Sequence, residues 1–367
     1  MKVLIIGGTR FFGYHIARRL IDDGHDVSLF TRGLTADDFG SRVRRITGDR
    51  RDREEFRRRL SREEYDVVID MIAYEAEDSL SAVQTFAGRV GRFIHISTGS
   101  VYIVTRDFPC PLREEDFDRE VIPRPEEKDD WWLYGFHKRE CETVLRQAHE
   151  KDGFPVVILR LPIVFGERDY TLRAYSYFLR LEDGRPIILP DSGLNIFTHI
   201  YQGDIVRTVA MNLNNPAAVG QAYNLAQSEI MTLRSFILAS ARILGRSPDL
   251  IDVPSAVLES SGLGTSFSPL FTRRPFVLVT EKARRELGFT STPVMIWLEK
   301  TIRWFREEYR GGPPDNYRMR DREVEFAAWY RSTVERAAYL RAAGDSEAFA
   351  RPAESENELG KTRSESK

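Results

Sequence analysis

Short apolar runs alternate with amphipathic segments through the first 165 residues of the chain. Val3–Ile6, Val27–Phe30, Arg44–Gly48, Asp66–Ile72, Arg92–Ser97 and Val156–Leu161 have the length of strands, and most are apolar without alternation. That pattern belongs to strands covered on both faces. Between them, Tyr14–Asp23, Asp52–Leu60, Leu80–Ala87 and Trp131–His149 carry apolar residues at helical spacing. Strands and helices alternating over short loops predict an α/β fold on a doubly wound parallel sheet with right-handed crossovers. Residues 107–130 are rich in proline and charge and are expected to form a loop.

After residue 165 the pattern loosens. Helices are expected over Leu172–Leu181, Asp204–Leu213 and Leu233–Leu244, and short strands over Gly184–Pro190 and Phe197–Ile200. Residues 1–165 thus form one domain, and residues 166–308 a smaller mixed α/β lobe with some elements returning to the first. Two amphipathic helices follow, Trp297–Tyr309 and Asp321–Ala342, the second within a helical extension over residues 309–343. That helix alternates Arg and Glu and reads either as a solvated face or as an extra packing element. Residues 344–367 are polar with few apolar positions, the composition of a disordered tail.

The candidate chemistry begins where the first apolar run breaks, at Gly7-Gly8-Thr9-Arg10-Phe11-Phe12-Gly13. Strand, glycine turn and helix in that order present free backbone N–H groups to a pyrophosphate, as in a Rossmann dinucleotide site. In G-x-x-G-x-x-G the middle glycine falls at position 10, where this chain has Arg10. The fifth strand ends in Ser97-Thr98-Gly99-Ser100-Val101-Tyr102. Ligands of such sheets sit beyond the carboxyl ends of the strands, so these hydroxyls are expected to face the cleft. Tyr134 and Lys138 follow at i and i+4 near a helix start and share one helix face. A phenol titrates near ~10, and a neighbouring ammonium lowers that value by favouring the phenolate. Such a pair can take and return a hydroxyl proton beside a nicotinamide. Alone, a Tyr-x-x-x-Lys pair is most often a solvated pair, and a hydroxyl-rich strand end most often a turn. Their order after a glycine corner makes them one site.

Composition narrows the classes. With 42% apolar residues the chain is globular, and 54 basic against 56 acidic residues leave a net charge of −2. No basic field argues for nucleic acid, and no acidic excess for disorder. Two cysteines, Cys110 and Cys141, make neither a disulfide framework nor a metal site, so no metal is expected and a reducing cytoplasm fits. The apolar start is only a strand long, and no stretch is long enough to span a membrane.

Residues 1–308 resemble the extended short-chain dehydrogenases/reductases of the NAD-dependent epimerase/dehydratase family. Gly48-Asp49, Arg160–Gly166, Asp204-Ile205-Val206, Thr280–Ala283, Leu287-Gly288-Phe289 and Trp304-Phe305 extend the likeness. The resemblance implies that Tyr134 is the general acid/base, that Lys138 binds the nicotinamide ribose and tunes Tyr134, and that Thr98 is the catalytic hydroxyl. Ser97 and Ser100 remain alternatives for that hydroxyl. The resemblance also implies that Gly7, Gly8, Thr9, Arg10, Phe11, Phe12 and Gly13 line the pyrophosphate. Asp49 and Arg50 would lie near the adenine, with Arg32, Asp70, Met71, Ile96, Leu161 and Ile163 also along the cofactor. Ser100, Tyr102, Arg168, Arg180 and Arg274 are candidate substrate contacts. It implies a homodimer formed through the helix after Leu80 and the helix carrying Tyr134. It also implies a small sugar-type substrate, first of all a nucleotide sugar, epimerised through a keto intermediate. An NADPH-dependent reductase of a non-nucleotide carbonyl compound is the alternative.

Four departures from the family pattern carry information. Gly99 and Ser100 stand where 4,6-dehydratases place Asp-Glu, which disfavours dehydration. The second strand ends in Phe30-Thr31-Arg32 with no acidic residue for the adenosine ribose. Arg32, with Arg10, suits a 2′-phosphate, which favours NADP over NAD. Ile163 stands where many nucleotide-sugar members have asparagine. Asp70 is a carboxylate on an otherwise apolar strand, either a structural acceptor or a contact to cofactor or substrate. The Gly-Gly-Thr-Arg-Phe and Asp-Val-Val-x-Asp runs also resemble the chloroplast stem-loop-binding proteins, which bind RNA on a dehydrogenase-like fold. That is the non-enzyme alternative, and the complete Thr98, Tyr134 and Lys138 set and near-zero net charge speak against it. His199 is expected to be structural.

Overall fold

The computed structural model describes residues 1–107, 109–126 and 130–342. The tail expected over residues 344–367, and part of the loop expected over residues 107–130, lie outside the described residues.

The first half runs Lys2–Ile6 (β1), Phe11–Asp22 (α1), Asp26–Thr31 (β2), Arg44–Thr47 (β3), Arg53–Leu60 (α2), Tyr65–Asp70 (β4), Ala76–Phe86 (α3), Val90–Thr98 (β5), Asp130–Asp152 (α4) and Val156–Leu161 (β6). Then come Ile163–Phe165 (β7), Arg173–Glu182 (α5), Ile187–Pro190 (β8), Ile196–Phe197 (β9), His199–Tyr201 (β10), Gln202–Met211 (α6) and Gln221–Asn224 (β11). Met231–Thr232 (β12), Leu233–Leu244 (α7), Leu250–Val253 (β13), Ser255–Ser260 (α8), Glu281–Leu287 (α9), Val294–Glu307 (α10) and Arg320–Ala342 (α11) complete the order.

Seven parallel strands form the central sheet in the order β3-β2-β1-β4-β5-β6-β11. Side chains of a strand alternate between faces. On β1, Val3 and Ile5 join the core with α1 and α6, while Leu4 and Ile6 join the core with α2 and α3. Both faces are dry, which is why β1 reads as an unbroken apolar run. The strand order reverses between β1 and β4, and that crevice at the carboxyl ends is where such sheets bind ligands.

The second lobe packs α5, α7 and α10 around Trp297, Phe236, Phe165 and Phe178. The single strand expected over Phe197–Ile200 is in fact two. β9 pairs antiparallel with β12, and β10 pairs parallel with β7. The chain changes partners at Thr198, whose hydroxyl donates to the Phe276 carbonyl. Helix α3 starts at Ala76 rather than Leu80, because Glu75 and Asp78 form a capping box ahead of the apolar positions.

Of the two readings of the last helix, packing describes its start. Phe326, Ala327 and Tyr330 lie against Ile188, Ile251 and Val253. Beyond Tyr330 the described side chains are mostly exposed. Glu323 of α11 is fully buried between Arg180 (Oε1 to Nη2, 2.5 Å) and Arg320 (Oε2 to Nη1, 3.2 Å). Removing that carboxylate leaves two buried guanidinium groups without their shared acceptor. Glu323→Ala is expected to cost about 3–5 kcal/mol in urea unfolding. A cost near zero would show that α11 is not part of the lobe's cooperative core.

Candidate active site

The turn after β1 is built by two glycines in left-handed backbone, Gly7 (φ 101°) and Gly8 (φ 89°). A Cβ on Gly8 would also lie 2.9 Å from Ile5 Cγ2. Arg10, the residue in the place of the expected third glycine, has φ −132° and ψ 148°. That is extended backbone open to any residue, so glycine is not required there. Gly13 allows close packing of helix on turn, since its Cβ would meet Gly8 Cα at 3.1 Å. No side chain caps the N-terminus of α1, so its first N–H groups remain available to an anion. A cleft of about 500 Å³ opens above the turn, lined by Gly7–Gly13, Thr31–Thr35, Gly48–Arg51, Met71, Tyr74 and Tyr170, among others. The uncapped helix, the left-handed glycines and the cleft above them fit a dinucleotide.

Charges at the end of the cleft beside β2 and β3 divide into buried and free. Arg50 is buried, with Nη1 donating to both Asp70 carboxylate oxygens (2.6 and 2.8 Å) and Nη2 to the Asp78 carbonyl (2.9 Å). Asp70 also accepts from the Ile72 N–H at 3.1 Å. Asp70 is therefore a structural acceptor that ties the β3–α2 loop to β4. Asp49 accepts from Arg51, and those hydrogen bonds pull its carboxyl down to about 2. Asp52 caps α2 through the Glu55 N–H. Arg32 is exposed on the cleft rim and has no ion-pair partner among the described residues. Arg10 lies with its guanidinium 4.8 Å from the Tyr170 ring centre.

The hydroxyl end of β5 leads into a short turn over Gly99–Tyr102. Thr98 Oγ1 accepts from the Ser100 N–H at 3.1 Å and lies 3.2 Å from Ser100 Oγ. Burial pushes the Tyr134 phenol above its ordinary range; the Thr98 hydroxyl, in hydrogen-bonding reach, and the Arg173 cation favour the phenolate. Ser97 is committed elsewhere, donating to Glu142 Oε1 at 2.5 Å. That leaves Thr98, with Ser100 beside it, as the hydroxyl next to Tyr134.

Lys138 sits one helical turn from Tyr134 and much deeper. Its Nζ donates to the carbonyls of Ala73 and Ile96, both at 2.8 Å, and lies 3.4 Å from His95 Nε2. Burial lowers the pKa of Lys138 and holds that of His95 well below the ordinary value. His95 is then neutral and accepts at Nε2. The ammonium thus clamps the ends of β4 and β5 under the cleft. Behind this layer Glu142 holds Arg160 through Nε (3.0 Å) and Nη2 (2.7 Å), and Arg160 Nη1 donates to Tyr102 Oη at 2.7 Å. Tyr102 in turn donates to Asn224 at 2.7 Å.

Several expected site residues fall outside the cleft. Tyr102 is fully buried in the network just described, so it does not face a substrate. Arg180 is spent on Glu323 and the Phe267 carbonyl inside the second lobe. Arg168 stacks over the Tyr14 ring at 3.8 Å, on the outer side of α1. Ile96 and Leu161 are core residues, and Ile163 is half-buried on β7. Arg274 is exposed. His199 is enclosed by Phe165, Phe197 and Trp297, and burial drives its pKa to about 3, so it stays neutral. The cleft also gains residues the sequence did not single out, Tyr74 and Tyr170. Tyr170, Arg173 and Asp169 come from the connection between β7 and α5, whose sequence carries no motif.

The chain belongs to the NAD dependent epimerase/dehydratase family, whose model matches residues 3–226. It is 28% identical over 303 residues to chloroplast stem-loop binding protein of 41 kDa b from Arabidopsis thaliana, covering 78% of this chain and 74% of that one. It is 24% identical over 259 residues to 2′-dehydrokanamycin reductase from Streptomyces kanamyceticus, covering 70% of each. The fold is shared with UDP-glucose 4-epimerase of Thermotoga maritima bound to UDP-glucose (TM-score 0.67, 19% identity, 84% of this chain and 99% of that one). It is shared also with UDP-glucuronic acid 4-epimerase of Bacillus cereus in complex with NAD (TM-score 0.64, 19% identity, 85% and 99%).

Asp169 makes a stability prediction. Burial raises its carboxyl to about 6; Oδ1 accepts from the Thr171 N–H and hydroxyl, while Oδ2 is buried with no hydrogen-bond partner. The unfolded value is near ~3.9, so the folded state holds the extra proton between the two. Stability from this group is present below about pH 4 and lost as pH rises through about 6. Asp169→Asn keeps the Oδ1 contacts and is expected to flatten that fall and to gain about 1–3 kcal/mol at pH 7. Thermal unfolding from pH 4 to 7 checks it, and a parallel fall in the variant would contradict it.

Proposed function

We infer that this protein is an NAD(P)-dependent oxidoreductase or epimerase acting on a secondary alcohol or ketone of a sugar-type substrate. The observation that carries this reading is the Tyr134 phenol in hydrogen-bonding reach of the Thr98 hydroxyl, at the carboxyl end of β5, in a domain whose glycine turn opens onto a cleft of about 500 Å³. Gly7, Gly8 and the start of α1 would hold the pyrophosphate and the Asp49–Arg51 loop the adenine, while Lys138, its ammonium spent on the Ala73 and Ile96 carbonyls, would support the floor beneath the inner ribose. The bound nicotinamide would supply reversible two-electron chemistry at the substrate carbon. Tyr134 holds or accepts the proton at the substrate oxygen, and Thr98 orients that oxygen by hydrogen bonding. Arg173 favours the phenolate during that exchange. With Gly99 and Ser100 beside Thr98, no carboxylate is present there to eliminate water.

Epimerisation of a nucleotide sugar ranks first, in line with the family and with neighbours that bind such sugars. Reduction of a non-nucleotide carbonyl compound is the second reading, supported by the relative named 2′-dehydrokanamycin reductase. Nucleic-acid binding would rest on the relative named for stem-loops, but the net charge of −2 supplies no basic field. NADP is favoured over NAD because Arg32, exposed at the rim, has no ion-pair partner among the described residues, while Asp49 is held by Arg51.

Tyr134→Phe is expected to lower turnover by ~10²–10⁴ and to leave dinucleotide binding, read by fluorescence titration, unchanged. Full activity in that variant would sink the assignment. Arg32→Gln is expected to weaken NADP binding by about 10-fold or more with little effect on NAD. Equal effects on both dinucleotides in the same titration would remove the 2′-phosphate reading.

A further inference from the structure

The residue after the catalytic hydroxyl faces an aromatic ring from far along the chain. A Cβ on Gly99 would lie 2.9 Å from Phe276 Cζ, 3.0 Å from Cε1 and 3.3 Å from Leu278 Cδ1. Any side chain at position 99 would therefore project into the Phe276 ring. The segment carrying that ring is pinned on both sides. The Phe276 carbonyl accepts from the Thr198 hydroxyl, the Leu112 N–H donates to the Val277 carbonyl at 2.7 Å, and the Val279 N–H donates to the Leu112 carbonyl at 2.8 Å. Phe276 is half-buried and packs on the cluster of Val101, Tyr102 and Leu112. On the other side of the turn, Gly135, the neighbour of Tyr134, is so close to the Ser100 carbonyl that a Cβ would collide with it. Tyr134 on α4, the turn after Thr98 and the Phe276 ring are thus stacked in successive layers.

This stack has a chemical consequence for what can bind. Gly99, Ser100 and Phe276 carry no charge, and the cation that acts on Tyr134 is Arg173 of the second lobe. A carboxylate placed against the ring would lose its water without gaining a partner from these three residues, and it would meet the negative face of the π system. A C–H-rich surface loses nothing there and gains contact area.

Resting on the oxidoreductase reading above, we propose that Phe276 is a specificity-determining residue that forms the apolar wall of the substrate subsite beside Thr98. The substituent next to the reacting carbon is then neutral and carbon-rich, as in a hydroxymethyl or methyl sugar, and a uronic acid is excluded. Gly99 is small because the ring occupies the space that a side chain would take.

The test uses the full chain loaded with dinucleotide, and two matched probe pairs: UDP-glucose with UDP-glucuronate, and methyl glucoside with methyl glucuronide. Binding is read by saturation-transfer NMR and turnover by product analysis. The wild type is expected to prefer the neutral member of a pair by about 30-fold or more. Phe276→Leu is expected to keep that preference, and Phe276→Lys to narrow or reverse it. Thermal unfolding supplies an arm without substrate: Gly99→Ala is expected to lower Tm, and Phe276→Ala added to it to restore part of the loss. A preference unchanged in Phe276→Lys and in Phe276→Ala would overturn the proposal. Selective binding of the neutral probe without any turnover would retain the wall and remove the oxidoreductase reading. Failure of both pairs to bind would overturn both.

Discussion

The buried pair of Glu142 and Arg160 ties together the elements that carry Thr98 and Tyr134. The pair joins five parts of the molecule. Through Ser97 it reaches the end of β5, through Tyr102 and Asn224 the turn after β5 and the edge strand β11, and through its own backbone α4 and β6. An ion pair in a dry interior survives only if its remaining donors and acceptors are also met. Here Arg160 meets them with Tyr102 and the Glu114 carbonyl. Thr98 follows Ser97 directly, and Tyr134 lies two helical turns before Glu142. The elements carrying the phenol and the hydroxyl are thus joined by a network to which neither side chain belongs.

The cofactor cleft repeats this division between groups that hold and groups that remain free. Arg50, Asp70 and Asp78 neutralise one another beneath the floor and fix the loop that carries Asp49. Lys138 does the same for the ends of β4 and β5. Above that floor stay the groups able to meet a ligand: the uncapped N-terminus of α1, Arg32, and the rings of Tyr74 and Tyr170. Arg10 illustrates how a departure from a motif is absorbed. Its extended backbone makes glycine unnecessary, and its side chain is free to lie on Tyr170 from the other lobe.

The second lobe contributes the parts that make this family member individual. Tyr170, Arg173 and Phe276 approach the first domain from the β7–α5 connection and from the segment before α9. On the proposed function, the shared fold constrains the chemistry at the substrate oxygen, where Thr98 and Tyr134 would act. It leaves the surroundings of that oxygen to these incoming side chains. Their character is mixed: one cation near the phenol, and an aromatic ring against Gly99, the residue after the Thr98 hydroxyl.

The sheet was legible because β1, β2, β4, β5 and β6 are covered on both faces, and an unbroken apolar run states that locally. The glycine corner, the hydroxyl strand end and the Tyr134/Lys138 pair were legible because each depends on backbone conformation or on spacing along a single element. Short strands such as β7, β11 and β12 left no such mark, since two to four residues make too little pattern. The roles of Asp70, Tyr102 and Arg180 were misjudged or left open for a related reason. Sequence reveals that a residue is polar, but whether its charge is free or spent depends on partners such as Arg50, Arg160 and Glu323, up to 143 residues away. The chain by itself determined the fold, the dinucleotide corner and the candidate proton-transfer pair, because those follow from local periodicity and order. The depth of Lys138, the cation at Tyr134 and the ring over Gly99 were decided by tertiary structure, because burial and electrostatic partners exist only once distant segments meet.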